Sequence, residues 1–529
     1  MTAFASSIAC GERAHDSVQR PALGHDSPPP CPLLVAGAGP AGLTAAHEAV
    51  RHGITPLVIE QGDRVGGIAR TEEHRGYRFD IGGHRFYTKV PEVQKLWEET
   101  LGSEFRLTPR LSRIFYNGKF YQYPLNIWET LRNLGVQHSA AAILSYGLAR
   151  MRPRGQEETF EDWVTNRFGR CLFETFFKTY TEKVWGMSCK EIRAEWAAQR
   201  IQDLSFFTAV KKALLPGGGS GPKSLIEQFH YPRLGPGMMW ERMAERITER
   251  GGSVRTGTEV VQIHHRQGRV HAAVLLGPNG PRTVQTERMI SSMALDDLIL
   301  RMDPPPPPQV VQAARSLRYR DFLVVGLAVN QPSSFADNWI YVHTAAVQVG
   351  RIQNFGNWSA DMVPDSGKSS LGMEYFCNRG DKTWNLSDDA LVKLASEEAS
   401  QLGLLRLSDV RWGKVIRQPK AYPVYDETYR AHLEVIREWL ATLENFQTIG
   451  RNGMHRYNNQ DHSMLTGTAA VRRFLGCSDD PWAVNTERSY YEEQRVPGET
   501  RSNAVTRIQT TASLQGFQTS LPQGSQADR

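Results

Sequence analysis

The stretch Leu33-Leu34-Val35-Ala36-Gly37-Ala38-Gly39-Pro40-Ala41-Gly42 constrains this chain more than any other, because an apolar run suited to a buried strand enters three glycines and leaves them as a helix. The G-x-G-x-x-G spacing gives each glycine a physical task. Gly37 makes the tight turn, Gly39 lets backbone N–H groups approach a pyrophosphate, and Gly42 lets the helix pack on the strand. A pyrophosphate there meets the positive end of the helix dipole. Glycine turns also recur for purely structural reasons, so the motif takes its weight from context. A second strand, Leu57-Val58-Ile59-Glu60, ends in an acid eighteen residues after Gly42, near the ~20 expected of a residue that holds a ribose hydroxyl.

Arg64-Val65-Gly66-Gly67-Ile68-Ala69-Arg70-Thr71 follows that strand. A second glycine pair, Gly66-Gly67, with Arg70 beside the same pyrophosphate favours FAD over NAD, since it suits a cofactor that runs past the first strand–helix–strand unit. The competing reading is a glycine hairpin with solvated arginines.

Composition narrows the rest. With 529 residues, 40% hydrophobic and 22% charged, the chain has the make-up of a soluble protein of about three domains. No apolar run reaches the ~18–20 residues needed to span a bilayer; the richest, Ala140 to Ala149, holds Ser145 and Tyr146 and reads as a buried or interfacial helix. A net charge of +6 is too slight for a nucleic-acid footprint. The six cysteines are scattered without C-x-x-C spacing, which suggests neither zinc nor disulfides and fits a reducing, cytoplasmic setting. No metal site is expected, and the start of the chain lacks the pattern of a secretory leader.

The expected fold is α/β: a Rossmann-like FAD-binding domain in discontinuous segments, an inserted helical subdomain and an antiparallel β-sheet substrate domain. The expected divisions are a disordered arm at 1–30, FAD-binding segments at 31–95, 235–320 and 441–494, a helical and substrate subdomain at 96–234, the antiparallel sheet at 321–440 and a disordered tail at 495–529. Strands are predicted at Leu57–Glu60, Ser253–Gly257, Val260–His264 and Phe322–Val329, and helices at Val90–Leu101, Met238–Arg250 and Met464–Phe474. Pro216–Pro222 and the five prolines Pro304–Pro308 read as linkers or crossing points.

At the glycine segments the sequence resembles the FAD-containing amine oxidase and protoporphyrinogen oxidase superfamily. Further motifs resemble one branch, the UDP-galactopyranose mutases: Asp80-Ile81-Gly82-Gly83-His84-Arg85-Phe86, Tyr180 to Gly186 with its Lys183-Val184-Trp185, Glu195-Trp196 through Arg200, Arg351 to Ser359, Ala421-Tyr422-Pro423-Val424, Gly450-Arg451-Asn452-Gly453, and Asn459-Gln460-Asp461-His462-Ser463. They occur in the family's order from about residue 31 to 476. Arg85-Phe86 stands where the family more often has an apolar pair.

The resemblance implies a nucleotide-sugar pyranose–furanose mutase. In that reading reduced flavin N5 attacks the anomeric carbon, the nucleoside diphosphate leaves into an arginine site, and the sugar opens and recloses as a furanose; NADPH or NADH is a possible reductant. Arg200 and Arg351 match the diphosphate arginines, suited to the task by their planar donor forks, although surface arginines are common in a chain with 62 basic residues. Tyr422 and Tyr457 would donate to the same oxygens, or serve as ordinary core residues. Gly83 and His84 would lie against the flavin, with a structural histidine as the competing reading for His84. Gly450, Arg451, Asn459, Gln460, Asp461, His462 and Ser463 would meet the flavin at a helix N-terminus that stabilises its reduced form; Asp461 or Ser463 would equally serve as a plain cap. The alternatives are an FAD-dependent oxidoreductase of the amine oxidase type, with an apolar pocket, and a flavin-binding protein without a catalytic role.

Overall fold

In the computed structural model, residues 29–194, apart from 124, 126, 152–154 and 156, and residues 228–485 are described. The expected tail, most of the expected arm, Arg200 and its motif, and the Pro216–Pro222 stretch lie outside the described residues.

The apolar run becomes strand β1 (Leu33–Ala36), the glycine turn leads into helix α1 (Pro40–Arg51), and the chain returns as β2 (Pro56–Ile59). Pro40 fits the first helical turn, where a missing N–H costs no hydrogen bond. These strands form the middle of a five-stranded parallel sheet in the order Phe446–Thr448, Met289–Ser291, β1, β2, Ser253–Arg255. Helix Gln460–Phe474 crosses α1 so closely that a Cβ on Gly467 would lie 2.3 Å from the Ala41 carbonyl oxygen. Leu33, Val35, Leu43, Trp97, Trp240 and Met464 share the core beside this sheet.

A second sheet runs Gly280–Gln285, Arg269–Gly277, Glu259–Arg266, Met302–Asp303. Its apolar side joins helices Pro308–Ser316 and Tyr429–Leu440 through Val310, Ala313, Ile436 and Leu440.

The third sheet has seven strands, in the order Val410–Pro423, Tyr319–Val329, Ser369–Cys377, Arg351–Asn354, Trp339–Val342, Ser112–Tyr116, Lys119–Gln122. Every pair is antiparallel except Trp339–Val342 with Ser112–Tyr116, which is parallel. Alternation divides its residues between two faces. Leu323, Val325, Ile340, Ile352 and Met373 pack with Leu391 and Ala395 of helix Asp388–Gln401. The register sets Tyr341 opposite Arg351, Arg351 opposite Glu374, and Trp339 opposite Gln353, all on the other face. Over one edge lies a helical layer around Phe160, Trp163, Phe173, Phe176 and Trp185.

The expected divisions need several corrections. The boundary at 95/96 cuts helix Pro91–Leu101, whose Trp97 and Leu101 belong to the first core. The third sheet begins at Tyr319 rather than 321 and recruits strands Ser112–Tyr116 and Lys119–Gln122 from the segment expected to form the helical and substrate subdomain. Tyr429–Leu440, assigned to the sheet domain, packs on the second FAD-binding segment instead. Pro308 is the first residue of a helix, so the proline run ends as a helix start. Helix Val136–Met151, which contains the run Ala140 to Ala149, buries only Ala142 among its side chains, so of the two expected readings the buried one is corrected.

Candidate functional site

Backbone builds one wall of a cleft of about 780 Å³ between the parallel sheet and the seven-stranded sheet. Gly37 has φ +99°, and a Cβ there would meet the Ser292 hydroxyl oxygen at 2.2 Å. On Gly42 a Cβ would reach the Gly37 carbonyl oxygen at 1.9 Å, so this glycine serves the contact of helix with strand. Gly39 and Gly67 face each other with only backbone between them: a Cβ on Gly67 would lie 3.2 Å from the Gly39 Cα. The two turns are stitched together by Gly66 N–H donating to Ala38 O at 2.8 Å. Glu60 accepts from the N–H groups of Ala38 and Gly62, each at 2.9 Å, so it ties the glycine turn to the loop after β2 while lining the cleft. Arg70 lines the cleft but is already engaged, with Glu72 at 2.6 Å and with Gly67 O and Gln418 at 2.9 Å.

The next segment of wall descends from strand Tyr77–Asp80. Asp80 is fully buried and accepts from the Thr71 hydroxyl at 2.7 Å and from the Tyr231 hydroxyl; burial pushes its carboxyl up to about 7. From this anchor the chain passes over the seven-stranded sheet. A Cβ on Gly82 would lie 3.4 Å from Arg351 Nη2, and one on Gly83 3.1 Å from Gln353 Nε2. His84 follows, lining the cleft, with Nδ1 buried and without a protein partner among the described residues. Burial, helped by the Arg351 and Arg451 guanidinium groups, lowers its pKa to about 3, so the imidazole is neutral.

Side chains build the opposite wall. Arg351, Tyr341, Gln353, Trp339 and Tyr422 project from the sheet into the cleft. Arg351 Nε pairs with the buried Glu374 carboxylate, which also accepts from Gln353 Nε2 at 2.8 Å. Burial opposes the charge on Arg351, but Glu374 outweighs it and keeps the guanidinium protonated. Tyr422 and Tyr457 stack with ring centres 5.9 Å apart, and the Arg451 guanidinium carbon lies 4.0 Å from the Tyr457 ring centre and 4.9 Å from that of Tyr422. Burial raises the Tyr422 phenol to about 12, so it is a hydrogen-bond donor at neutral pH.

The C-terminal segment closes the cleft. Gly450, with φ +82°, donates to the Thr466 hydroxyl at 2.9 Å. Arg451 Nε and Nη2 and Gln460 Oε1 are buried and lack protein partners among the described residues. The cap of helix Gln460–Phe474 is Asn459, closed into a box by His462, whose Nδ1 accepts the Asn459 N–H at 3.3 Å. This corrects the cap expected at Asp461 or Ser463, and it moves the helix start from Met464 to Gln460. Asn459, Gln460 and Ser463 line the cleft, whereas the buried Asp461 and His462 are absent from its lining and support the helix end from behind.

The structure therefore brings Gly37, Gly39, Glu60, Gly67, Arg70, Gly83, His84, Arg351, Tyr422, Gly450, Arg451, Tyr457, Asn459, Gln460 and Ser463 to one cleft. Gly42 and Gly66 shape its turns from behind. Gln353, Glu374, Tyr341 and Trp339 escaped the sequence reading. Gln353 lies inside the quoted Arg351–Ser359 segment, and Glu374 is a lone acid in the apolar run Ser369–Cys377, the one signal that marked it. Among the described residues no cluster of His, Cys, Asp and Glu is placed to hold a metal ion.

The donor set fits FAD. Two facing glycines leave a cradle that a Cβ would narrow, a helix N-terminus opens on the cleft, and buried guanidinium and imidazole nitrogens point to an acceptor-rich group. Gly39, Glu60, Gly67 and the N-terminus of α1 would hold its ADP portion, and His84, Arg451, Asn459 and Ser463 its flavin end.

The sequence profile of the family described as flavin containing amine oxidoreductase matches residues 40–450. A "Probable UDP-galactopyranose mutase" of Klebsiella pneumoniae is 25% identical over 173 residues, covering 31% of this chain; the chain spans 43% of that relative's length. A coproporphyrinogen III oxidase of Mycobacterium bovis is 27% identical over 335 residues, covering 58% of this chain and 68% of the relative. The crystal structure of a reduced UDP-galactopyranose mutase superposes with a TM-score of 0.75 at 22% identity, covering 87% of this chain and 98% of that one, a likeness of fold.

Proposed function

Because the chain belongs to the flavin containing amine oxidoreductase family and so is an FAD-binding enzyme, we propose that it interconverts the pyranose and furanose forms of a sugar carried on a nucleoside diphosphate. The observation that carries this reading is Arg351: a half-buried, protonated guanidinium on the wall facing the glycine cradle, with Tyr341 and Tyr422 beside it. An apolar amine has no need of such a group, whereas diphosphate oxygens, like the carboxylates of a porphyrinogen, do. The similarity to the Klebsiella pneumoniae relative supports the same reading.

Reduced FAD, when bound, supplies the electron-rich centre that sugar-ring interconversion requires. The chain's own residues bind and orient. Glu374 holds Nε of Arg351, which leaves the terminal nitrogens for phosphate oxygens. Tyr422 and Tyr457 donate phenolic hydrogen bonds to those oxygens, and Arg200, by its motif, supplies a second fork. His84 stays neutral beside two guanidinium groups and offers one nitrogen to the cofactor.

An anaerobic experiment tests this. The enzyme is reduced once with dithionite and given a panel of UDP-, GDP- and dTDP-hexopyranoses, and products are followed by NMR. Many furanose turnovers per flavin without further reductant are expected. Bleaching of the oxidised enzyme by an amine, alcohol or porphyrinogen, with hydrogen peroxide formed in air, would replace the proposal with the oxidase reading, which the longer match to the coproporphyrinogen III oxidase supports.

A further inference from the structure

Of the thirteen large apolar side chains exposed among the described residues, six lie between Trp128 and Met151. Helix Val136–Met151 touches the helical layer with a narrow face: Ala142 is buried, and the helix backbone at Tyr146 approaches Gly169 so closely that a Cβ there would lie 2.7 Å from it. The opposite side carries Val136, Ile143, Leu144, Leu148 and Met151 in helical spacing, exposed by 88, 53, 67, 52 and 75%. Trp128, on the preceding helix Ile127–Leu134, adds an exposed indole at 58%.

A helix apolar on its outer side needs a cover of low polarity. Sixteen residues make roughly 24 Å of helix, short of the ~30 Å hydrocarbon core. Among the described residues no helix is long and apolar enough to cross a membrane. Charge selects the cover. Between residues 127 and 154 the sequence holds Arg132, Arg150, Arg152 and Arg154 against one acid, Glu129. Arg132 and Arg150 are exposed near opposite ends of the stripe. A second copy packed on the same stripe, in either direction, would set these arginines against its own with Glu129 as the one carboxylate of the segment to meet them. An anionic lipid surface meets both demands, taking the apolar side chains at the acyl boundary and the arginines at the headgroups, with Trp128 at the interface between them.

We propose that the pair of helices Ile127–Leu134 and Val136–Met151 docks the enzyme in the plane of an anionic lipid bilayer. The docking surface is separate from the cleft, and it stands whatever substrate the cleft takes.

The test is co-sedimentation of the full-length, FAD-loaded protein with vesicles of phosphatidylcholine alone and of two parts phosphatidylcholine to one part phosphatidylglycerol. Binding to the anionic vesicles, weakened by high salt, is expected. Leu144→Glu with Leu148→Glu should reduce partitioning by at least tenfold, and Arg132→Gln with Arg150→Gln by roughly 25-fold, since each arginine contributes roughly fivefold. Each pair should keep the flavin content and flavin spectrum of the parent. Absence of wild-type binding to anionic vesicles overturns the proposal. So does a concentration-dependent dimer, abolished by the leucine pair, in a protein that ignores lipid, because the stripe then belongs to a second copy.

Discussion

The two walls of the cleft are made in opposite ways. The parallel-sheet wall is backbone: Gly37, Gly39 and Gly67 act by having no side chain, within thirty-one residues of sequence. The seven-stranded-sheet wall is side chain: Tyr341, Arg351, Glu374 and Tyr422 come from four strands and meet only through strand register. A cofactor common to a whole family is held by geometry that any sequence with the right glycines supplies. A substrate that differs between relatives is held by residues that can change one at a time without disturbing the cradle.

Glycine substitutions break the first wall most severely, and two neighbours should fail differently. Gly42→Val sets a side chain into the Gly37 carbonyl and is expected to leave no cooperative unfolding transition by circular dichroism. Gly39→Val finds more room, since a Cβ there lies 3.8 Å from Gly67; this variant should fold and unfold cooperatively yet purify without flavin. Equal FAD content in Gly39→Val and the parent would remove Gly39 from the cofactor site.

On the second wall, Glu374→Ala leaves the half-buried Arg351 charge without its partner, a loss of up to about 3 kcal/mol, the low end for a fully buried pair because the guanidinium also meets the cleft, measurable by denaturant titration. Glu374→Gln keeps the shape and an acceptor, so its loss should be smaller. A Glu374→Ala protein as stable as the parent would mean that Arg351 does not depend on this partner.

Acid should reveal the buried histidines of this same half. Burial lowers the pKa of His343 to about 3 and of His455 to about 4, both below the ordinary histidine value. The unfolded chain therefore takes up their protons first. Their contribution is complete above pH ~6.5 and is lost as pH falls toward 4, with a slope of up to about 1.4 kcal/mol per pH unit for each histidine. Thermal unfolding between pH 7 and 4 should show it, and His343→Gln should make the slope shallower by about one proton.

The smallest effect belongs to Tyr422→Phe. Removing a hydroxyl that donates one hydrogen bond costs about 0.5–1.5 kcal/mol, or roughly two- to twelvefold in nucleotide-sugar affinity, with flavin content unchanged. Isothermal titration reads it directly.

What sequence made legible follows the same division. The turn at Gly37–Gly42, Glu60 at the end of β2, and the two-glycine turn at Gly66-Gly67 are local patterns whose spacing carries their geometry. Arg351 and Tyr422 emerged through a resemblance, because nothing in their immediate surroundings sets them apart from other arginines and tyrosines. Glu374 and Gln353 stayed hidden because a polar residue in a strand declares its partners only when the register is known. Asp461 and His462 lie behind the cleft lining because a helix N-terminus has two sides. Their motif marks the helix start, and only the packing shows that Gln460 and Ser463 face the cleft. Exposure of helix Val136–Met151 was undecided for a related reason: an alanine- and leucine-rich helix reads as buried or interfacial until its neighbours are seen.

The separation of the two walls is tested most directly by one titration. Wild type and Arg351→Ala are compared for FAD content and for the flavin absorbance change on adding UDP-galactopyranose, with UDP as a second ligand. Loss of a charge-assisted bond to a buried phosphate is worth about 2–5 kcal/mol, so Arg351→Ala should carry a full complement of FAD and bind at least thirtyfold more weakly than wild type. Tight, equal binding of UDP by both proteins, or loss of FAD together with the arginine, would contradict the account.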